Sequence, residues 1–429
     1  MDTPKHVVTR RDFVKHNTAA AVAVSAFSIL PSQTARAAEP IKVGVIGVGG
    51  RGKAAAEDAI RAHEGVRITA IADLFPYQIE TAKIRLAKSD QHLTDDQCFA
   101  GFDAYKEVLA SDIDYVILTT PPVFRPMMLE AAVAAGKHVF MEKPAAVDAP
   151  GIRRVIAAGE AAKKKGLSIV AGTQRRHEPN YRENIQRIHE GALGEIQFAR
   201  ALWCTGPIAY RKKLPEMSEM EYQIRNWYHY LWLSGDHLVE QHVHNLDIIV
   251  WAMQKYPVKA YGVGGRAWQQ WGNIWDHHAV DFEFDNGVHL FSLASQFPRP
   301  ENGSRVNEFI HGTKATTNCQ GNIWGETLWN FEGERVRPYI QEHVNLIESI
   351  INNKGINEAE SCALSTMTAI LGRTAEYEGR EVTWEEAFNS DQVLCEVPQA
   401  FVDWKPVPVP VPGGFEFTGQ EGWKADTDE

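Results

Sequence analysis

This sequence of 429 residues holds only five cysteines (Cys98, Cys204, Cys319, Cys362 and Cys395), widely scattered, with no Cys-x-x-Cys pair. That excludes the usual zinc-ribbon or finger spacing and a disulfide-stapled framework. There is no long basic run, and the formal net charge is -11. Binding to nucleic acid needs clustered Lys and Arg to neutralise phosphates, so that class of partner is excluded. Beyond the N-terminus no apolar, uncharged run reaches the roughly 18 residues that a membrane span requires. No internal repeat is present. What remains is a chain with 44% hydrophobic residues, enough to fill the cores of two ordinary domains.

The N-terminus carries a different kind of information. "TRRDFVKHNTAAAVAVSAFSILPSQTARAAEP" pairs Arg10 and Arg11, follows them with an Ala-rich, mildly apolar segment, and ends in small residues suited to cleavage near Ala38. This resembles a twin-arginine export signal and implies a periplasmic or otherwise exported protein, with residues 1–38 removed. That route carries folded chains, so the five thiols are expected to remain unpaired, as small buried residues.

From residue 41 the texture is regular. "IKVGVIG", "RITAIAD", "YVILTT", "KHVFME" and "LSIVAGT" are short β-branched runs, separated by Ala- and charge-rich stretches of helical spacing such as "GIRRVIAAGEAAKKKG". Continuous apolar strands alternating with helices predict a doubly wound parallel sheet covered on both faces, here residues 39–174. Beyond it, "IQFARALW" and "KAYGVGGRAW" alternate apolar and polar residues, and Asn286-Gly287 joins two such runs as a hairpin signal. An α+β domain with a large, mostly antiparallel open sheet is expected over 175–400, and the helix "YIQEHVNLIESIINN" is assigned to it. The tail "KPVPVPVPGG" within 401–429 reads as an extended arm lying on its own or a neighbouring subunit.

"VGVIGVGGRG" places Gly47, Gly49 and Gly52 in Gly-x-Gly-x-x-Gly spacing after a strand and at the opening of a helix, with Asp73 ending the next strand 21 residues past Gly52. In that context the pattern is a dinucleotide fingerprint. Gly47 permits the tight turn, Gly49 lets a pyrophosphate approach the backbone, and Gly52 packs helix on strand. Asp73 accepts hydrogen bonds from the adenine ribose and repels a 2′-phosphate, which favours NAD over NADP, although the nearby Arg51 blurs the choice. Gly50, Arg51, Thr120 and Pro121 complete the expected groove.

"FMEKPAAVD" ends the strand "KHVFME" with Glu142, Lys143 and Pro144, and "EQHVHNLD" follows about a hundred residues later. Together with the fingerprint these stretches resemble the glucose–fructose oxidoreductase and inositol dehydrogenase (Gfo/Idh/MocA) family, from Ile41 to about Pro398. The resemblance implies a Rossmann domain followed by a substrate-binding and oligomerisation domain. It makes Lys143 the donor to a substrate hydroxyl and His244 the general acid/base. The family's usual Asp is Glu240 here, a departure that leaves its positioning role less secure. Glu240, His244 and Asp247 stand at i, i+4 and i+7 and would share one wall of the cleft on a regular helix. His242 would then point elsewhere, and a metal shared with His244 would require an irregular start to the helix. No metal is expected.

Glu142 is expected to orient Lys143 or to reach the nicotinamide ribose. Asp247, His242, Arg176, Tyr228 and His229 are candidate substrate contacts, with Gln174, Arg175, His177, Trp227, Tyr230, Trp232 and one of His277 and His278 as weaker ones. A Trp/Tyr-rich core or subunit interface explains the aromatic residues equally well.

Outside the cytoplasm no nicotinamide pool is available for exchange. The expected function is therefore an exported NAD-dependent oxidoreductase acting on a secondary hydroxyl of a sugar or glycoside, with its cofactor held and recycled. A NAD-dependent glycosidase working by oxidation, elimination, hydration and re-reduction is the alternative, and a non-catalytic sugar-binding protein is a third. A homodimer or homotetramer is expected from the resemblance.

Overall fold

The computed structural model describes residues 40–298 and 304–402, with short pieces at 408–411, 413, 415–416 and 424–425. The expected export signal lies outside them, as does most of the Pro-rich tail. Where the tail is described, the Pro410 carbonyl accepts a hydrogen bond from Trp275 Nε1 at 3.0 Å, which lays it on its own chain.

The first sheet is parallel, in the order β3-β2-β1-β4-β5-β6. Its strands are β1 (Ile41–Ile46), β2 (Val66–Asp73), β3 (Cys98–Ala100), β4 (Tyr115–Leu118), β5 (His138–Met141) and β6 (Ile169–Ala171). Alternate residues of each strand enter different cores. Tyr115 and Ile117 join Val43, Val45, Ile71 and Phe140 on one face, whereas Val116 and Leu118 join Ile46, Ala72, Val139 and Met141 on the other. Burial on both faces is why these strands read as unbroken apolar runs. Helix α1 (Gly50–Ala62) supplies Ala55, Ala56 and Ala59 to the first core. Helix α2 (Ala149–Lys164), capped by the Asp148 carboxylate on the Gly151 N–H, supplies Ile152, Val155 and Ala162 to the second.

The second sheet has nine strands, in the order β14-β13-β12-β11-β7-β10-β9-β8-β15, its outer members being β12 (Ala315–Thr317), β13 (Asn322–Gly325), β14 (Trp329–Asn330) and β15 (Val382–Thr383). Those that frame the site are β7 (Ile196–Thr205), β8 (Lys259–Gly265), β9 (His277–Glu283), β10 (His289–Gln296) and β11 (Arg305–Gly312). Neighbours are antiparallel except β7 and β10, which run parallel. The expected Asn286-Gly287 turn joins β9 to β10, with Gly287 at φ 77°. Behind the sheet lie α3 (Val243–Met253) and α5 (Ala359–Glu378).

Helix α4 (Pro338–Ile351), assigned from sequence to the second domain, instead packs on the first. Leu346 and Ile347 join the core of Val43, Tyr115 and Phe140. Its apolar stripe is compatible with either partner, so periodicity alone does not choose. Among the cysteines only Cys319 and Cys362 are buried; Cys98, Cys204 and Cys395 are half-buried, and none is paired.

Candidate active site

The loop after β1 is shaped by its glycines. Gly47 adopts φ 89°, and a Cβ on Gly52 would lie 1.9 Å from the Gly47 carbonyl oxygen, so only glycine allows α1 to start this close. At Gly49 and Gly50 a Cβ would meet nothing within 4 Å, because both face an open cleft. That cleft is lined by Gly47, Gly49, Gly50, Asp73, Thr120 and Pro121 among others. Asp73 accepts the Phe75 N–H at 2.9 Å, and burial raises its carboxyl to about 6. Exposed backbone at a helix N-terminus, with a carboxylate ending the next strand, fits a dinucleotide.

Arg51 does not take part as expected. Its guanidinium is shared among Glu142, Asp58 (3.2 Å) and Glu342 of α4 (3.0 Å), and lies 4.8 Å over the Tyr339 ring. It is committed to carboxylates and is not available to a 2′-phosphate. Glu142 accepts from Arg51 and from the Lys143 N–H (3.2 Å), so it orients the turn that carries Lys143.

Lys143, at the carboxyl end of β5, donates from Nζ to the Glu240 carboxylate at 2.8 Å and to the Glu240 carbonyl at 2.5 Å. The second bond depends on an irregularity. Leu238–His242 form a π-helical turn ahead of α3, entered through Gly235 and Asp236 at φ 80° and 88°. A π turn breaks the regular i to i+4 ladder, a feature common at functional sites. Here it aims the Glu240 carbonyl at Lys143. Burial raises the Glu240 carboxyl above its ordinary range, and Lys143 opposes that shift. His244 stacks on Trp203, with ring centroids 5.6 Å apart; burial, then Lys143, hold its imidazole neutral, well below the usual pKa.

Asp247 departs from the single-wall expectation because its partners hold it in the interior. Asp247 is 2% exposed, bound by Arg176 through two nitrogens at 2.8–3.0 Å and by the Ser365 hydroxyl at 2.6 Å. Asp247 and Arg176 form a strut between α3 and the 174–177 turn. His242 is fully buried and hydrogen-bonds Ser292 of β10 at 2.8 Å. Tyr228 is buried between His237 (2.9 Å) and Gln296 (2.8 Å), and His229 meets the Ala209 carbonyl at 3.2 Å. These three are core groups in this structure because hydrogen-bonding partners from distant strands and loops capture them. Of the weaker candidates, Arg175 pairs with Glu308, His177 meets Asn345 at 2.7 Å, and Trp227 lines the dinucleotide cleft. His278 is buried between Asp236 and Glu376, whose charges outweigh its desolvation and push its imidazole up to about 10. His277 pairs with Asp276.

Two contributors gave no sequence signal. Buried Arg125 donates to the Thr120 carbonyl at 2.7 Å and to the Pro144 carbonyl, tying the groove turn to the Lys143 turn. Trp203, on β7, supplies the aromatic wall for His244. Lys143, Glu240 and His244 do not line the large cleft; they form a separate cluster at the end of the same sheet. Among the described residues no group of three or more His, Cys, Asp or Glu is placed to hold a metal ion.

Comparison with known proteins agrees with this geometry. Residues 41–172 match the model of the oxidoreductase family with an NAD-binding Rossmann fold, and residues 181–318 match the GFO/IDH/MocA C-terminal domain. A dTDP-3,4-didehydro-2,6-dideoxy-alpha-D-glucose 3-reductase of Actinomadura kijaniata is 30% identical over 40% of this chain and 47% of its own. An inositol 2-dehydrogenase of Rhizobium meliloti is 26% identical over 64% and 74%, and a glycosyl hydrolase family 109 protein of Shewanella is 28% identical over 44% and 39%. The chain thus spans about half the length of the first curated relative it matches. The solved structure of scyllo-inositol dehydrogenase from Lactobacillus casei, with NAD(H) and scyllo-inositol bound, covers 81% of this chain and 99% of its own at TM-score 0.61 and 22% identity. The two family models together span well over half of the residues, and the chain belongs to the Gfo/Idh/MocA oxidoreductase family.

Proposed function

We propose that the protein oxidises, and in the reverse direction reduces, a secondary hydroxyl carbon of a sugar or glycoside, using NAD that it retains between turnovers. The observation that carries this is the Lys143–Glu240–His244 cluster at the carboxyl end of the sheet that forms the dinucleotide groove. Bound nicotinamide supplies a hydride acceptor. The side chains supply the proton chemistry. Neutral His244 takes the hydroxyl proton on a ring nitrogen, and the Lys143 ammonium hydrogen-bonds the oxygen as negative charge develops there. Glu240, already holding Lys143, positions that ammonium and accepts from a neighbouring hydroxyl. Trp203 offers an apolar face to a sugar ring. Asp73 supports NAD over NADP.

Lys143→Ala should lower hydride transfer about 10²–10³-fold while bound dinucleotide, measured by mass after denaturation, stays constant. Unchanged turnover would remove Lys143 from the chemistry.

A second reading, a glycosidase working through transient oxidation, is favoured by the family 109 relative. In deuterated water it places deuterium at C2 of the released sugar; release without exchange rejects it. We further propose export by the twin-arginine route, on the strength of Arg10 and Arg11 and the segment after them. A homo-oligomer is proposed through the outer face of the large sheet. Cross-strand pairing there lines up Tyr261, Asp281 and Phe291, and Phe198, His311, Thr316 and Trp324, with the named aromatics exposed. A monomer mass in light scattering would exclude it.

A further inference from the structure

The dinucleotide cleft is not walled by the first domain alone. Arg211, Ile224, Arg225 and Trp227 reach it from the stretch following β7, and Pro398 reaches it from the segment following α5. The Arg225 guanidinium lies 5.0 Å over the ring of Tyr77, which follows β2 beside Asp73. Phe401 approaches Phe102 edge-on at 5.1 Å and Phe75 at 6.3 Å. Tyr77, Phe75 and Phe102 all line the cleft at the end where Asp73 stands.

Both outside segments are anchored. Asn226 holds Arg211 in place by accepting from its N–H at 2.8 Å and donating to its carbonyl at 3.0 Å, while its own side chain is buried. The helix Glu219–Arg225 that carries Ile224 and Arg225 is capped by Ser218 on the Glu221 N–H. The later segment is tied to α2 and its cap: Arg153 donates to the Phe388 and Ser390 carbonyls at 2.6 and 2.9 Å, and the Leu394 N–H reaches the Asp148 carboxylate at 3.0 Å.

We propose that Arg211, Arg225 and Phe401 are cofactor-binding residues that complete the adenosine end of the site and keep the dinucleotide from exchanging. Arg225 over Tyr77, and Phe401 against Phe102, form planar surfaces of the kind on which a base stacks. Arg211 and Arg225 also bring positive charge to a groove where the first domain's own arginine, Arg51, is consumed by three carboxylates. A dinucleotide seated there leaves only when the Phe401 segment or the Arg225 helix gives way.

This inference rests on the NAD reading above, and one experiment separates the two. The full chain is loaded with NADH, and loss of its bound-state fluorescence is followed after a chase with excess NAD, for the wild type and for Phe401→Ala, Arg225→Ala and Arg211→Ala. Phe401 is 46% exposed and Arg211 is exposed, so both variants retain the fold, which thermal melting verifies. Release is expected to quicken about tenfold or more in each variant, the size of one stacking or charge contact. Equal release rates in all four proteins would overturn the proposal and leave the cofactor assignment intact. A wild type that binds no dinucleotide would overturn both.

Discussion

In the proposed reaction Lys143 and His244 would divide the work of one proton transfer, and burial would set the terms on which His244 does it. Its neutral form is the base, and desolvation holds its pKa well below 6.5. Protonation, which stops the base, therefore begins only at more acidic pH. kcat/KM for oxidation should stay level down through pH 6.5 and fall below it, and His244→Gln should remove that acid limb; a limb centred at or above 6.5 would count against His244. Lys143, Glu142, Asp73 and the glycines were legible because each sits at a strand end or a turn, where local geometry dictates the residue type. Asp247, His242, Tyr228 and His229, expected as substrate contacts, are held in the interior for the opposite reason. Whether a polar side chain faces substrate or core depends on a partner such as Ser365, Ser292, His237 or Ala209, 9 to 118 positions away in the chain. Arg125 left no trace, since a buried cation serving two carbonyls looks in sequence like any surface arginine.

Two short elements decide the site: the start of α1 and the π turn before α3. At the first, Gly52→Ala would drive a methyl into the Gly47 carbonyl, so we expect loss of dinucleotide binding with a lowered melting temperature. Normal binding by calorimetry would show that the loop relaxes at little cost. The π turn was not foreseeable. The apolar spacing of "LVEQHVHNLDIIV" suits an ordinary helix, and the extra residue per turn is stabilised by tertiary contacts of Asp236 with Trp275, Tyr377 and His278. Strand β3 escaped because three residues flanked by acidic groups carry no periodicity. Helix α4 was found in sequence yet docked on the other domain, where Glu342 meets Arg51.

For the whole molecule, the alternation of strands and helices, the change to alternating strands near residue 196 and the Asn-Gly hairpin made the two-sheet architecture readable. Where the chain carries its cofactor is a molecular-scale question as well. Replacing Arg10 and Arg11 together with lysine should leave the full-length precursor in the cytoplasm with its dinucleotide bound, checked by fractionation and mass. Undiminished export would refute the proposed route.

The three-carboxylate grip on Arg51 has a practical side. An arginine within the glycine loop, such as Arg51, is an obvious place to seek acceptance of a phosphorylated dinucleotide. In this scaffold that residue is a rivet joining the loop, the Lys143 turn and helix α4. Retooling it would loosen the Lys143 turn before it altered selectivity. The productive starting points are instead Asp73 and Lys53 of α1, close enough to feel its charge, whose ammonium is held by Gln78 and Thr81.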